Sequence, residues 1–239
     1  MLPLKLWRPR GLDGVALAVG SAAPDFVYAI DGFGVTIRSH AWHSIFWWSV
    51  PTTLVLSWLI RLGAPTVAAH LPTGGRFALR DYGTLGAHRY KLWVSAACAA
   101  IGAASHLLWD AFTHASVDGG TVLFPVLDTR VWPGMPLWHA LQYVSSLVGL
   151  VAVAFMVEHI GRHRLLVAWH GQPPGRPLRP AAFWTAAALA FGAVVCLMPF
   201  LPGSRGPHVI GARLLGATMA GALAGAAAVR WSGGRAMEC

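Results

Sequence analysis

The decapeptide Ser105-His106-Leu107-Leu108-Trp109-Asp110-Ala111-Phe112-Thr113-His114 closes an apolar run that begins near Leu92. His106, Asp110 and His114 stand four residues apart, so a helix would align them in one stripe on one face. A charge inside a membrane span costs roughly 2.5–3.5 kcal/mol on insertion scales and calls for a functional reason. An imidazole and a carboxylate one turn apart can hold the same cation. The plain alternative is a hydrogen bond within the helix, or a polar contact to a neighbouring helix.

Residues of the same chemistry recur at Asp25, His43 and His139. Two carboxylates, Asp25 and Asp110, with the imidazoles of His43, His106 and His139, form a nitrogen and oxygen ligand set. It suits zinc best, with manganese or iron as alternatives. His40 lies close before His43 and competes with it for the place facing the site. His139 has a rival role as an interfacial residue beside Trp138 and Tyr143. His114, Ser105, Thr113 and Ser44 adjoin the candidate ligands and could supply the hydrogen bonds that orient them. A metal with an open position lowers the pKa of water to about 7 and polarises a phosphoryl or carbonyl oxygen. Asp110 or Asp25 would then accept the proton. The three cysteines, Cys98, Cys196 and Cys239, form no motif. There is no G-x-S-x-G, P-loop, G-x-G-x-x-G or H-E-x-x-H pattern to suggest another chemistry.

The elements that must position these residues are membrane spans. The chain is 56% hydrophobic and only 11% charged, against about 25% charged residues in a soluble domain. The net charge of +9 therefore reads as loop charge beside a bilayer, not as a nucleic-acid footprint. Apolar runs at 14–30, 44–60, 92–114, 139–157, 181–201 and 209–229 each approach the ~20 residues that cross ~30 Å of hydrocarbon. The expected fold is an all-α bundle of six transmembrane helices in a single domain, 1–239. Residues 1–160 carry the candidate site and 161–239 supply two further spans. The last run, with Gly216, Ala220, Gly221, Ala224 and Gly225, has the small-xxx-small spacing of close helix packing. The basic start and the apolar run after it resemble a signal peptide, but the Pro24-Asp25 motif argues for retention.

With both termini in the cytoplasm, 14 of the 18 Lys and Arg residues fall in cytoplasmic segments. Asp25, His43, His106, Asp110, His114 and His139 then collect near one depth, toward the extracytoplasmic side. At 1.5 Å rise per residue, Asp110 lies about 6 Å and His106 about 12 Å inward from His114.

Several pieces of the chain resemble a known family. They are Gly20-Ser21-Ala22-Ala23-Pro24-Asp25-Phe26, His43-Ser44, Pro51 with its apolar run, the 105–114 decapeptide, and Leu141-Gln142-Tyr143 with Ser145-Ser146. They are similar to an uncharacterised bacterial multi-pass membrane-protein family of unknown function. That family is itself similar to predicted membrane-bound metal-dependent hydrolases, distant relatives of zinc-dependent phospholipase C. The resemblance covers about residues 2–160 and implies that Asp25, His43, His106 and Asp110 hold metal. It also implies a Pro-Phe-Thr-x-Ser-His segment ahead of Leu2-Pro3-Leu4, which this sequence lacks. The expectation is a start site further upstream, the alternative a depleted site.

The resulting expectation is a hydrolase of the bacterial plasma membrane with zinc as cofactor. It would act on a phosphoester or lipid-linked substrate at the outer face, among membrane lipids and without nucleic acid. The rivals are a protein that translocates protons or metal ions, and a structural membrane protein with a decayed site. No trail of acids or histidines continues inward from His106 through 92–105, which weighs against a through-path.

Overall fold

Asp13 starts the first membrane-facing element. Its Oδ1 accepts hydrogen bonds from the backbone N–H groups of Val15 and Ala16, both at 3.1 Å, which caps a helix over Gly14–Gly20. That helix cannot continue. Pro24 has no N–H to give the preceding turn, and a proline disfavours helical geometry in the residue before it. The chain tightens instead into a 3-10 helix over Ala23–Ile30. The expected first span is thus a broken element, and the six-span expectation is corrected to five long helices.

In the computed structural model, which describes residues 2–115 and 120–235, the helices in chain order are α1 (Leu2–Trp7), α2 (Gly14–Gly20), α3 (Val50–His70), α4 (Leu92–Thr113), α5 (Gly120–Leu123), α6 (Leu137–Arg162), α7 (Leu165–His170), α8 (Pro180–Leu197) and α9 (Pro207–Arg235). One π-helical turn, Ile45–Ser49, leads into α3. A two-stranded antiparallel hairpin, β1 (Arg130–Trp132) and β2 (Met135–Pro136), precedes α6. Among the described residues, five helical stretches are long and apolar enough to cross a membrane: Ile45–His70, Leu92–Thr113, Leu137–Arg162, Pro180–Phe200 and Pro207–Ser232. The protein is a multi-pass, all-α membrane protein. Cys239 lies outside the described residues.

α2 runs beside α4 with the two backbones in contact. A Cβ on Gly20 would stand 2.5 Å from the Ala99 carbonyl oxygen, and one on Gly102 would stand 2.6 Å from the Leu17 carbonyl oxygen. Small buried residues, Ala16, Cys98 and Ala99, fill the rest of the seam. α8 and α9 repeat the device, since a Cβ on Gly221 would meet the Ala187 carbonyl at 2.8 Å. Gly216, by contrast, faces open space. In lipid, such close approach replaces the hydrophobic drive that water supplies elsewhere.

At the end of the bundle where α4 begins, Asp13 is fully buried and forms an ion pair with Arg61 at 2.5 Å. Its Oδ2 accepts from Ser95 Oγ, also at 2.5 Å. A buried carboxylate needs partners of this kind to offset the loss of water. Lys5 closes the same end, donating from Nζ to Pro9 O, to Leu12 O at 2.7 Å and to Tyr90 Oη at 2.9 Å. At the other end, Arg213 donates to the carbonyls of Asp31 and Pro202, at 2.9 and 2.6 Å, tying the loop after the 3-10 helix to α9.

Two predictions follow from this packing. Gly102→Val forces side-chain atoms into the Leu17 carbonyl, and overpacking costs about 1–3 kcal/mol. It should lower the melting temperature of the detergent-solubilised protein by several degrees, whereas Gly149→Ala, which meets open space, should not. Equal melting points for both variants would refute the seam. The second concerns Lys5. Burial lowers its pKa from 10.5 to about 8, against a partial offset from Asp13. Between those values the unfolded chain holds a proton that the folded protein has lost, so stability rises with pH across that window. Melting curves from pH 8 to 10 should climb in the wild type and flatten in Lys5→Met.

Candidate metal centre

The break in the first apolar run creates the site. In a continuous α-helix the Asp25 N–H would bond the Ser21 carbonyl. In the 3-10 turn it bonds Ala22 O instead, at 3.1 Å. The freed Ser21 carbonyl accepts from His106 Nδ1 at 2.8 Å. Because a carbonyl only accepts, this contact puts the proton on Nδ1 and leaves the Nε2 lone pair facing inward. His106 Nε2 is buried and makes no well-directed hydrogen bond, yet it lies 3.1 Å from Asp110 Oδ2 and 3.5 Å from Asp25 Oδ1.

His40 approaches from the opposite side. Its Nδ1 is held by Ser39 Oγ at 3.0 Å, and its Nε2 lies 3.1 Å from Asp25 Oδ1 and 3.3 Å from Asp110 Oδ2. The two imidazole rings are 5.5 Å apart. One ligand atom from each of Asp25, His40 and His106 falls within 4.8 Å of the other two, which makes these three a possible metal-binding group. Ligand atoms about 2.0–2.2 Å from a tetrahedral zinc stand about 3.3–3.6 Å apart, close to the 3.1 and 3.5 Å that separate Asp25 Oδ1 from His40 and His106 Nε2. The donor set and the orphaned Nε2 therefore fit a divalent cation. Both histidines also have the outer nitrogen held by an oxygen, which is how ligating imidazoles are oriented.

Electrostatics points the same way. Burial disfavours a charged His40, but hydrogen bonds to Asp110 and Asp25 outweigh it and raise its pKa to about 9. Two carboxylates converging in a half-buried pocket require a balancing positive charge, and a protonated His40 provides it in the absence of a cation. The pocket is open on one side, since side-chain exposure runs from 49% at Asp25 to 15% at His106.

The remaining sequence candidates fall at varied distances from this group. Asp25, His106 and Asp110 lie together in it. His43 is not among them: it is exposed and stacks on Trp47 with ring centroids 6.4 Å apart. The reason is local. The π-helical turn that leads into α3 begins only at Ile45, and the preceding loop turns at Ser39–Ser44, which carries His40 inward and leaves His43 outside. Ser44 secures that turn by donating to Ser39 O and to Ala41 O. His139 stacks between Trp138 and Tyr143, at 5.1 and 4.9 Å, and stays apart from the group. His114 sits at the rim, with Nδ1 3.6 Å from Asp110 Oδ1 and Nε2 2.9 Å from Gln142 Nε2. Ser105 and Thr113 bond back to their own helix, at Gly102 O and Trp109 O. The signal for His40 over His43 was the preceding serine, since Ser39-His40 repeats the Ser105-His106 pair and Ser39 holds the ring.

Fold and site together define a polytopic helical membrane protein with a His/His/Asp group at one end of its bundle. The chain belongs to the family described as a domain of unknown function, DUF4184, which it matches over residues 1–229. The match runs past residue 160, where the resemblance was expected to end, and takes in α8 and most of α9. Neither the curated proteins nor the solved structures provide a match.

Removing either inward imidazole should abolish metal retention. Wild type purified in detergent should carry a divalent metal detectable by mass spectrometry. His40→Ala and His106→Ala should lose at least about tenfold in affinity, the scale on which even supporting residues act. His43→Ala should retain it. Equal metal content in His40→Ala and His43→Ala would contradict the assignment of His40.

Proposed function

We propose that the protein is a membrane-bound metal-dependent hydrolase, with zinc held by Asp25, His40 and His106, the fourth position open to water and Asp110 beside it as general base. The observation that carries this reading is the pair of inward-facing imidazole Nε2 atoms, each with its Nδ1 held by an oxygen, converging on the same two carboxylates. When bound, the metal supplies Lewis acidity toward a phosphoryl or carbonyl oxygen and makes water acidic near neutral pH. Asp110 is suited to accept the proton. Its Oδ2 faces the imidazoles while Oδ1 turns toward His114. His114 is half exposed at the rim and offers the proton a way out to solvent. Asp25, the most exposed of the four, marks the side from which substrate enters.

The substrate class follows from the surroundings. Trp42, Phe46 and Trp47 are exposed beside the His40 turn, and Trp109 is exposed on α4. Such residues favour the membrane–water interface, which supports an amphiphilic substrate, a phosphoester or related ester in a lipid or lipid-linked molecule. Most of the Lys and Arg residues, 14 of 18, fall in segments assigned to the opposite end of the bundle, which supports a site at the outer face of the plasma membrane with both termini inside.

One observation favours transport instead. Ser49, which ends the π-helical turn, and Thr53 and Ser57 on α3 follow at four-residue spacing, all buried and, among the described residues, without side-chain hydrogen-bond partners. They lead from the His40 end toward Arg61 and Asp13, and such a file could conduct protons. A single experiment separates the readings. Zinc-loaded protein should hydrolyse bis-p-nitrophenyl phosphate or a fluorogenic phospholipid, and Asp110→Asn should be at least about a hundredfold slower, in the range general base catalysis contributes. No turnover of phosphomonoester, phosphodiester or carboxyl ester, together with proton flux in proteoliposomes that Thr53→Val abolishes, would replace the hydrolase reading by the transport one.

A further inference from the structure

The bundle end opposite the His/Asp group holds a cavity of about 450 Å³, within the ~300–1,000 Å³ of small-molecule sites. Arg61, Arg89, Arg176 and Arg230 line it. They come from four separate places: the inner half of α3, the loop before α4, the loop after α7, and the end of α9. Among the described residues no carboxylate lines it. Asp13 lies behind the wall, fully buried, and offsets Arg61 alone. Arg230 spends one amino group on the Leu62 carbonyl at 2.7 Å. Arg89 and Arg176 are exposed and make no hydrogen bond or ion pair among the described residues.

Charge at a cytoplasmic membrane surface needs no ligand to explain it, because loop arginines set orientation. Orientation does not require that four of them, from four segments, converge on one concavity with Tyr90 and Ser57 in its wall. Converging guanidinium groups repel one another unless an anion lies between them. Arginine's planar fork matches phosphate oxygens in particular. The first turn of α4 also lines the cavity at Leu92 and Ser95, and its N-cap residue Lys91 provides no side-chain cap, so the positive end of the helix adds to the field. The rim is apolar: Trp58, Leu62 and Leu92 line the cavity and are also exposed on the outside of the bundle.

We propose that this cavity binds a phosphate-bearing anion, with the arginines gripping the phosphate and the Trp58, Leu62 and Leu92 rim accepting the chains of a lipid that carries it. The same grip would take a free pyrophosphate, so the two sources are distinguished by experiment. The site is separate from the His/Asp group, and its test does not depend on metal or turnover.

Full-length protein in uncharged detergent is titrated with dioctanoyl phosphatidate, dioctanoylglycerol and inorganic pyrophosphate, and binding is followed by thermophoresis. The first variant is Arg89→Gln with Arg176→Gln, both exposed and without structural partners. The second is Arg8→Gln with Arg10→Gln, which removes the same charge from the exposed N-terminal segment. Phosphatidate should bind the wild type and dioctanoylglycerol should not. The first variant should weaken phosphatidate binding at least about tenfold, the loss of two charge-assisted hydrogen bonds, and the second should leave it within about twofold. Pyrophosphate binding much weaker than phosphatidate, with the same variant dependence, identifies a lipid as the source. Comparable binding of the two identifies the free anion. Equal losses in both variants, or no binding of either anion by the wild type, would overturn the proposal.

Discussion

The backbone contact between α2 and α4 is the constraint on which the rest depends. Gly20 and Gly102 let the two helices approach until main-chain atoms touch. Only at that distance can the carbonyl at the end of α2 reach an imidazole on α4. The contact also sets the depth of both ends of α2. Asp13 at its start meets Arg61, Ser95 and Cys98, and Asp25 beyond its end meets His106. A wider spacing would separate both groups at once. Small residues in the seam are therefore as much a part of the site as the His and Asp residues that converge there.

The helix break is the complementary feature. A continuous helix would consume the Ser21 carbonyl in its own ladder, and the orienting bond to His106 would be lost. Non-helical backbone inside a membrane protein is tolerable only where other groups satisfy it. Here the satisfying group is the imidazole itself. Backbone economy and site geometry are met by one hydrogen bond, which also selects the tautomer that leaves Nε2 free. His40 reaches the equivalent state through a side chain, Ser39, because it lies in a loop where a neighbouring hydroxyl can turn toward it.

The two ends of the bundle solve opposite electrostatic problems. At the His/Asp end, two carboxylates converge and the nearby cations are titratable imidazoles. At the other end, four arginines converge and the one carboxylate behind them is already paired. Excess negative charge calls for a metal or protons, and excess positive charge calls for an anion. Between the ends lies the row of buried, uncharged hydroxyls of Ser49, Thr53 and Ser57.

Much of this was legible in the sequence. Composition set the class, because 11% charged residues cannot clothe a soluble chain of this length. Four-residue spacing put His106, Asp110 and His114 on one face, and hydrophobic length gave six runs, five of which are long helices. The Pro24-Asp25 interruption was visible too, but its consequence was not. Whether a proline kinks a span or ends it depends on what captures the freed carbonyls, and here the captor is 85 residues away. The choice of His40 over His43 left only one trace in the sequence, the serine before it, because the choice itself turns on where helix begins after a loop. In sequence Asp13 is a lone acid beside a basic start and looks solvated, and only α3 and α4 closing over it make it buried. Local spacing and hydrophobicity act within one segment, so the sequence alone determined residue types, spans and the central stripe. Tertiary structure decided which of those residues share a site, because convergence depends on the distance between backbones that no single segment encodes.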